Sequence, residues 1–355
     1  MAKSRELLGE RIARHALAAR PCDSALAATA VTTAVQAQDT AASKLGLRAR
    51  AAGLTEAGVV HAIEHDRTIA RTWLHRGTIH LVPTADLRWL VRLIGPAIAR
   101  KYRTRWHQIG LGDKLLDRIV CALPDILAGG PLTRAEIKAA LDGRGIALDS
   151  SDPQAHSHAV VYASTTGLIC RGPDRGRHST FALVDDWVPS APHGPSGDDA
   201  LAELARRYFA AFSPATAADF AAWSGLGAGR AVALIRDELT ETDVDGRPGF
   251  RLGSVDPARG LRLLPAFDNY LLGYRNRDAL MPKEHYADVY EGGMIRPVVL
   301  HDGRAVGTWA LQRAKGRLTV TPFDRLPRAA LRGVEAEVAD IARFLDRDLE
   351  LHLMG

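Results

Sequence analysis

The sequence is poor in cysteine and has no long apolar run. Its cysteines, Cys22, Cys121 and Cys170, are odd in number and far apart. This excludes a disulfide framework and a paired-cysteine metal site, and it fits a reducing cytoplasm. The apolar runs fall well short of a membrane span. The first fifteen residues, MAKSRELLGERIARH, are charged throughout, so we expect no secretion signal and a cytoplasmic protein without membrane contact.

The common motifs of metal and cofactor enzymes are missing too. The chain has no HEXXH motif, no P-loop, no GxSxG elbow and no GxGxxG after a strand. His156 and His158 are spaced two apart, without further ligands at metal-site spacing. The stretch GLGAG at 225–229 is expected to form a turn between helices. We therefore expect neither a metal nor a cofactor.

Positive charge is concentrated in one stretch. The net charge of the 355 residues is +5, but residues 66–118 hold eleven Lys/Arg against four Asp/Glu, a local charge of +7. A local basic excess favours a polyanionic partner, nucleic acid first, whereas the alternative is a solvated face of an arginine-rich protein.

Hydrophobic periodicity predicts helices followed by a small hairpin. Helical patterns cover 5–20, 25–36, 40–48 and 55–66, and the alternation in RTIARTWLHRGTIHLV then predicts two strands around Arg76-Gly77. This order is typical of the winged helix, a variant of the helix-turn-helix.

The same order recurs twice. Thr133 with Glu136 is a helix-capping pattern, a helix at 153–166 follows, and GLICRGPDRGRHSTFALV predicts a second wing. A third round begins at 198, repeats the Pro-Thr-acid helix start at 214–219, and ends in strands at 241–253. The last third is strand-like over 296–322, with turns at Asp302-Gly303 and Lys315-Gly316, and a helix at 327–346 closes the chain.

These patterns predict an α+β fold of tandem winged-helix units that form a concave body, with a β-rich C-terminal region. The predicted segments are winged helix 1 at 1–112, winged helix 2 at 113–190, winged helix 3 at 198–260, and the C-terminal region with its closing helix at 261–355. The linker VPSAPHGPSGDD, 188–199, separates the second and third segments.

Three clusters of cations are candidates for DNA binding. Each also has an alternative interpretation as a solvated surface, and in the first cluster Tyr102 and Trp106 either stack on bases or face the core. The clusters are Arg100, Lys101, Arg103 and Arg105, with Arg76 in the first hairpin; Arg171, Arg175, Arg177 and His178 in the second wing; and Arg275 with Arg277.

Gln36 and Gln38 form the most unusual local feature, because two amides flank one residue in an otherwise apolar stretch. In a helix, side chains two residues apart point about 200° apart and cannot share a target, whereas in an extended segment they can. From the residues alone, helix-end capping is the favoured interpretation.

Two sequence blocks resemble those of a known family. RTWLHRGTIHLVPTADLRWL (71–90) and LLPAFDNYLLGYRNRDALMP (263–282) are similar to the signature blocks of the bacterial winged-helix DNA glycosylases of the AlkZ and YcaQ type. That family carries a Gln-apolar-Gln or Gln-apolar-Asp motif near the N-terminus, and this chain has Gln36-Ala37-Gln38 there, as in the AlkZ branch.

The resemblance implies a DNA-binding enzyme with Gln36 and Gln38 as its catalytic residues. It would excise N7-alkylguanine from double-stranded DNA, unhook interstrand crosslinks, and give resistance to a DNA-alkylating natural product such as azinomycin B. We expect a monofunctional glycosylase that acts as a monomer. The rival hypotheses are a winged-helix transcriptional regulator without catalysis and a non-catalytic scaffold.

The chemistry of such a substrate explains how two amides suffice. An N7-alkylated guanine is already cationic, so it leaves without protonation. What remains is to hold a water molecule against the sugar through amide carbonyl oxygens. A base tied to the opposite strand cannot swing into a closed pocket, as most base-repair enzymes require. The site is therefore expected to be open.

Overall fold

The fold was analysed in a computed structural model that describes residues 2–148, 152–188 and 194–354. Contacts within the chain divide it into two compact units. Unit 1 comprises Met1–Val60, Ala202–Trp223 and Gly227–Gly355, and unit 2 comprises His61–Leu201 and Ser224–Leu226. The central residues of the predicted linker, 189–193, lie outside the described residues.

Helices and strands alternate along the chain, which confirms the mixed fold class. The helices are α1 (Ala2–Arg14), α2 (Ala25–Ala30), α3 (Thr40–Arg48), α4 (Glu56–Glu64), α5 (Thr84–Gln108), α6 (Asp113–Leu127), α7 (Arg134–Asp142), α8 (Ala155–Thr165), α9 (Val184–Trp187), α10 (Gly197–Phe212), α11 (Ala217–Ser224), α12 (Ala228–Leu234), α13 (Asn269–Leu272), α14 (Tyr286–Val289) and α15 (Arg328–Leu345).

Most of the strands are short and join in antiparallel pairs. They are β1 (Val35–Gln36), β2 (Ile69–Leu74), β3 (Thr78–Pro83), β4 (Leu132–Thr133), β5 (Ile169–Arg171), β6 (Thr180–Leu183), β7 (Leu239–Asp243), β8 (Pro248–Leu252), β9 (Leu261–Leu264), β10 (Tyr290–Glu291), β11 (Met294–Ile295), β12 (Val298–His301), β13 (Arg304–Gln312), β14 (Arg317–Pro322) and β15 (Glu350–Leu353).

In unit 2, five strands are neighbours in the order β3-β2-β5-β6-β4. The predicted hairpin is present, with Ile69 opposite Pro83 and Leu74 opposite Thr78. Its turn holds Arg76 at a positive φ of 60° and Gly77 at 84°. A Cβ on Gly77 would lie 2.5 Å from the Tyr102 ring. Glycine is therefore required where this turn packs on α5.

In unit 1, the C-terminal sheet has the order β15-β14-β13-β12-β9. Helix α15 connects β14 to β15, and these two strands are parallel. A parallel pair needs a crossover connection of this kind. The apolar residues of α15, among them Val334, Ile341 and Phe344, are buried, so the helix covers the sheet while it returns the chain to the same edge.

Several predicted elements are confirmed at the level of their hydrogen bonds. Thr133 and Glu136 form a reciprocal capping box at the start of α7. Thr216 and Asp219 do the same before α11, since Thr216 N donates to Asp219 Oδ2 at 2.8 Å and Asp219 N donates to Thr216 Oγ1 at 3.1 Å. Gly303 and Gly316 adopt the positive φ that the predicted turns need.

Three predicted elements differ from the structure. Helix α1 ends at Arg14, because the chain turns at Ala16, where φ is 58°. Helix α2 ends at Ala30, so residues 31–36 are not helical as the periodicity predicted. The chain also continues past the closing helix into β15.

The elements follow the predicted helix-and-hairpin order, while the winged-helix assignment and the boundaries at 112, 190 and 260 stay predictions. Among the described residues, no helix has both the length and the apolarity that a membrane span needs.

Candidate active site

Gln36 and Gln38 lie in a non-helical segment of unit 1 between α2 and α3. Gln36 belongs to the two-residue strand β1, and residues 37–39 continue without helical structure. The opposed directions that a helix would impose on the two amides therefore do not apply. Asp39 is the N-cap of α3, its side chain accepting from Ala42 N at 2.9 Å. The N-cap position of α3 is thus occupied by Asp39 and not by a glutamine.

The two glutamines differ in exposure. Gln36 is 7% exposed, whereas Gln38 lies at the surface. The side-chain oxygen of Gln36 is buried, and none of the described residues donates a hydrogen bond to it. A buried acceptor without a donor costs about 1–3 kcal/mol. The segment therefore combines one enclosed amide oxygen with one amide at the surface.

The backbone just before the motif is strained. Thr33 has a φ of 67° and is fully buried. The left-handed region costs an ordinary residue about 1–2 kcal/mol, and a β-branched residue is especially uncommon there. This turn directs the chain from α2 into β1, so contacts from elsewhere in the fold must hold it.

Asn269 supplies such contacts. Its side-chain nitrogen donates to Thr32 Oγ1 at 2.8 Å and to the carbonyl oxygen of Ala34, and its side-chain oxygen accepts from Gln36 N at 3.3 Å. The residue is 4% exposed.

Asp268 anchors this asparagine. Its carboxylate is the N-cap of α13, accepting from Tyr270 N at 2.9 Å, and it receives both terminal nitrogens of Arg50 at 2.8 Å each. Arg50 also donates to the carbonyl oxygen of Gly46 in α3 at 2.9 Å. One buried ion pair thus ties the helix that follows the motif to the asparagine that contacts it.

No function was predicted for Asp268 and Asn269 from the sequence. A usable signal was present, because two polar residues stand inside the apolar run LLPAFDNYLL. Polar side chains buried in such a run need hydrogen-bond partners, although the sequence does not say which.

A second buried ion pair lies at the end of α3. Arg48 donates to Glu337 Oε2 at 3.0 Å and to Asp340 Oδ2 at 2.8 Å, both on α15. Its side chain is fully buried. Helix α3 is therefore fixed to the C-terminal helix by charge as well as by apolar packing.

Lys44 is the lysine nearest to the motif in sequence, and its side chain forms an ion pair. Its ammonium group pairs with Glu56 Oε1 at 2.5 Å, and Glu56 also accepts from Arg313 at 3.2 Å. An amine held in such a pair is charged and is a poor nucleophile.

His15 is fully buried in unit 1 beside Tyr270 and Tyr274. Burial holds the pKa of His15 well below 6.5, and the neighbouring Arg50 and Arg11 lower it further. This imidazole is consequently neutral at physiological pH.

The first cationic cluster lies on α5 in unit 2. Arg100 is exposed, Lys101 donates to the carbonyl oxygen of Arg76 at 3.2 Å, and Arg76 itself is half-buried. Arg103 pairs with Asp113 at 2.5 Å and Arg105 with Asp152 at 2.7 Å. The structure thus brings Lys101 and the first hairpin together.

The two aromatic residues of this cluster differ in burial. Trp106 is 1% exposed, and its ring nitrogen donates to His158 Nδ1 at 3.1 Å. Tyr102 is half-buried and packs on Gly77. The interpretation in which Trp106 stacks on bases is therefore wrong, since the ring belongs to the core of unit 2.

The second cluster lies in the connection between β5 and β6. Arg175 pairs with Glu136 at 2.9 Å, while Arg177 and His178 are exposed. Arg171 is largely enclosed and donates to Ser179 Oγ.

Arg275 and Arg277 follow α13 in unit 1. Arg275 is exposed, and its backbone nitrogen donates to Asp219 Oδ1 at 2.7 Å. Arg277 is half-buried, with its guanidinium 4.2 Å from the centre of the Tyr290 ring.

Neither histidines nor cysteines form a metal-binding cluster in the described parts of the chain. Cys22, Cys121 and Cys170 are all free thiols.

Comparison with known proteins shows the class of enzyme. The family profile "DNA glycosylase AlkZ-like" matches residues 30–344. The interstrand DNA cross-link repair glycosylase of Streptomyces sahachiroi is 30% identical over 361 residues, covering 96% of this chain and 95% of the relative. The solved structure of Streptomyces sahachiroi DNA glycosylase AlkZ superposes with a TM-score of 0.82 at 28% identity, covering 99% of each chain.

The fold and the matched length define a DNA glycosylase. The chain belongs to the DNA glycosylase AlkZ-like family, as the two signature blocks indicated. The rival hypothesis of a transcriptional regulator is not supported, because both relatives are named as glycosylases.

Proposed function

We propose that this glycosylase hydrolyses the N-glycosidic bond of N7-alkylguanine in double-stranded DNA and unhooks interstrand crosslinks, with Gln36 and Gln38 as catalytic residues. Protection against a DNA-alkylating natural product is the corresponding biological role. The Streptomyces sahachiroi relative is named as an interstrand DNA cross-link repair glycosylase, and the match spans nearly all of both chains. The monomeric state and the cytoplasmic location stay predictions.

The observation that carries the proposal is the unpartnered oxygen of Gln36. An amide oxygen is an acceptor with two lone pairs, and this one receives no donor within the part of the chain that the structure describes. A water molecule admitted to this enclosed oxygen would be held by geometry rather than by a strong base. General-base help is worth about 10²–10⁴-fold, and a cationic leaving group reduces the need for it.

The exposure of Gln38 supports access to a base that stays in the duplex. A crosslinked guanine remains tethered to both strands, so at least one catalytic group has to be reachable from outside. Gln38 lies at the surface directly after the enclosed Gln36. The pair thus provides one sheltered and one accessible amide.

The engagement of Lys44 supports water as the nucleophile. A glycosylase that uses an amine forms a covalent intermediate with the sugar and then cleaves the strand. The ammonium group of Lys44 is held in an ion pair with Glu56 Oε1. We therefore propose a monofunctional enzyme that leaves an abasic site.

Cations on the surface of both units are proposed to contact phosphates. They are Arg76, Arg100, Lys101, Arg103, Arg105, Arg175, Arg177, Arg275 and Arg277. Those that pair with carboxylates do so in exposed contacts, which a phosphate can replace at little cost.

The test uses three duplexes that contain N7-methylguanine, a crosslink between the N7 atoms of two guanines, or a neutral uracil. We expect base release from the first, separation of the strands of the second, and no release from the third. The abasic product should break only in alkali, and borohydride should trap no adduct. Intact N7-methylguanine would overturn the proposal, and a trapped adduct would contradict water as the nucleophile.

A further inference from the structure

All three hydrogen bonds of the Asn269 side chain go to the segment that carries the proposed catalytic pair. Two are donated, to Thr32 Oγ1 and to the carbonyl oxygen of Ala34, and one is accepted from Gln36 N. The bonds to Ala34 and Gln36 contact the backbone on the two sides of Val35. Asn269 thus fixes the chain where Gln36 begins.

Only an amide of this length satisfies these partners. Two of them are oxygens that need a donor, and the third is an N–H that needs an acceptor. Aspartate has no donor when ionised, and alanine offers neither group. The asparagine is therefore matched to the segment by chemistry and not only by volume.

The segment depends on this contact because its own structure is weak. Strand β1 is two residues long, and Thr33 before it is held at a positive φ of 67°. The unpartnered oxygen of Gln36 adds a second unfavourable feature to the same turn. Without the asparagine, we expect the strained backbone to relax into another conformation, and the Gln36 amide would move with it.

Asn269 is itself rigidly held. It is the first residue of α13, whose N-cap Asp268 forms the bidentate pair with Arg50. The same arginine is bonded to Gly46 in α3, the helix that starts after the motif. The asparagine and the helix that follows the motif are therefore connected through one buried ion pair, Arg50 with Asp268.

We propose that Asn269 is a positioning residue that sets the place of the Gln36 amide for attack on the glycosidic bond. This rests on the proposed function, in which Gln36 is catalytic. Asn269 touches no substrate in this account, so its loss should lower the rate of base release without changing DNA affinity.

The experiment is a double-mutant cycle on the full chain, read by single-turnover release of N7-methylguanine at saturating protein. Asn269→Asp should slow release about 10–100-fold and leave the Kd for DNA unchanged. In a Gln36→Ala background, Asn269→Asp should cause no further loss, because residues that act as one unit are not additive. Asn276→Asp, the same substitution at the other asparagine of the chain, is the matched control and should release base at the wild-type rate at saturating protein.

Thr32→Val is the second variant, should Asn269→Asp fold poorly. It removes one acceptor of the asparagine with little change of shape, and we expect a several-fold slower release at unchanged Kd. Wild-type rates in both folded variants, or an Asn269→Asp effect that persists undiminished in the Gln36→Ala background, would overturn the positioning role. A wild-type rate in Gln36→Ala alone would instead overturn the proposed function, and the inference with it.

Discussion

The arginines that follow the motif in unit 1 and those of α5 in unit 2 are used in opposite ways. In unit 1, Arg48 and Arg50 are fully buried and each is paired with carboxylates of a distant part of the chain. In unit 2, Arg103 and Arg105 are 64% and 44% exposed and pair with carboxylates at the surface. The first pattern fixes the fold around neutral amides, and the second leaves cations available to a polyanion.

The difference follows from desolvation. A buried ion pair has lost its water, so removing one partner strands the other in a medium of low dielectric constant. An exposed pair keeps most of its hydration and exchanges partners easily. A local excess of positive charge therefore predicts a DNA-binding surface only where the arginines are exposed.

The largest expected effect is the loss of stability when the buried ion pair of Arg50 and Asp268 is broken. Arg50→Met leaves Asp268 without its cation and should lower the free energy of unfolding by about 3–5 kcal/mol, measured by urea denaturation. The matched change Arg103→Met should leave unfolding unchanged, since this arginine and its partner both face solvent. Equal destabilisation by the two substitutions, or none by Arg50→Met, would remove the distinction.

The next effect concerns the exposed cations of α5. Neutralising Arg100, Lys101, Arg103 and Arg105 together to glutamine should weaken DNA binding. The slope of log K against log salt should become shallower by about one unit for each phosphate that the protein no longer neutralises, up to about four.

A control with the same change of charge tests whether position matters. The exposed residues Arg317, Arg325, Arg328 and Arg332 of unit 1 are neutralised in the same way. We expect the slope to stay near that of the wild type. Identical shifts in the two quadruple variants would mean that net charge, rather than α5, drives binding.

Buried histidines give both units a common sensitivity to acid. Burial holds the pKa of His15 and His75 well below 6.5 and lowers that of His80 to about 3. In the unfolded chain each titrates near 6.5, so between pH 6.5 and 5 the unfolded state binds more protons. As the pH is lowered through this window, the free energy of unfolding should therefore decrease. The decrease is about 1.4 kcal/mol per pH unit for each buried histidine.

Urea unfolding at pH 7.5, 6.5, 5.75 and 5 measures this loss above the range in which carboxylates titrate. His80→Gln should make the pH dependence shallower, and His61→Gln, whose side chain is 61% exposed in the wild type, should not. A free energy of unfolding that stays constant down to pH 5 would show that these imidazoles are not buried in the neutral form.

The smallest effect is at the exposed amide of the pair. Gln38→Asp keeps an acceptor and adds a charge that favours a cationic sugar. We expect several-fold slower release of N7-methylguanine rather than its loss, measured under single-turnover conditions. Complete inactivity would mean that the amide N–H of Gln38 also holds the substrate, because a carboxylate has no donor.

Local signals in the sequence predicted local structure well. The capping pair Thr133 and Glu136 and the alternation around Arg76-Gly77 each needed only neighbouring residues, and both are present in the structure. Strand β15 was missed because its four residues, although they alternate between polar and apolar, are too few to establish a period, and its pairing with β14 depends on the path of α15.

The environment of the candidate site was predictable only in part. The Gln36-Ala37-Gln38 motif was found through resemblance, but the end of α2 at Ala30 was not. The helix ends shortly before Thr33, which takes a positive φ, and long-range hydrogen bonds from Asn269 hold this turn. Periodicity describes which face of an element is apolar, and it contains no information about a partner more than 230 residues away.

The most direct test of the account is single-turnover release of N7-methylguanine by the Gln36→Ala, Gln38→Ala double variant. We predict a rate at least about 100-fold below that of the wild type, in line with the loss of a group that directs water. DNA affinity should stay at its wild-type value, since neither amide is assigned to phosphates. The midpoint of thermal unfolding should change little, since the packing lost at the buried Gln36 is offset by removal of an acceptor without a donor. Wild-type release by the double variant would contradict the catalytic assignment of both glutamines.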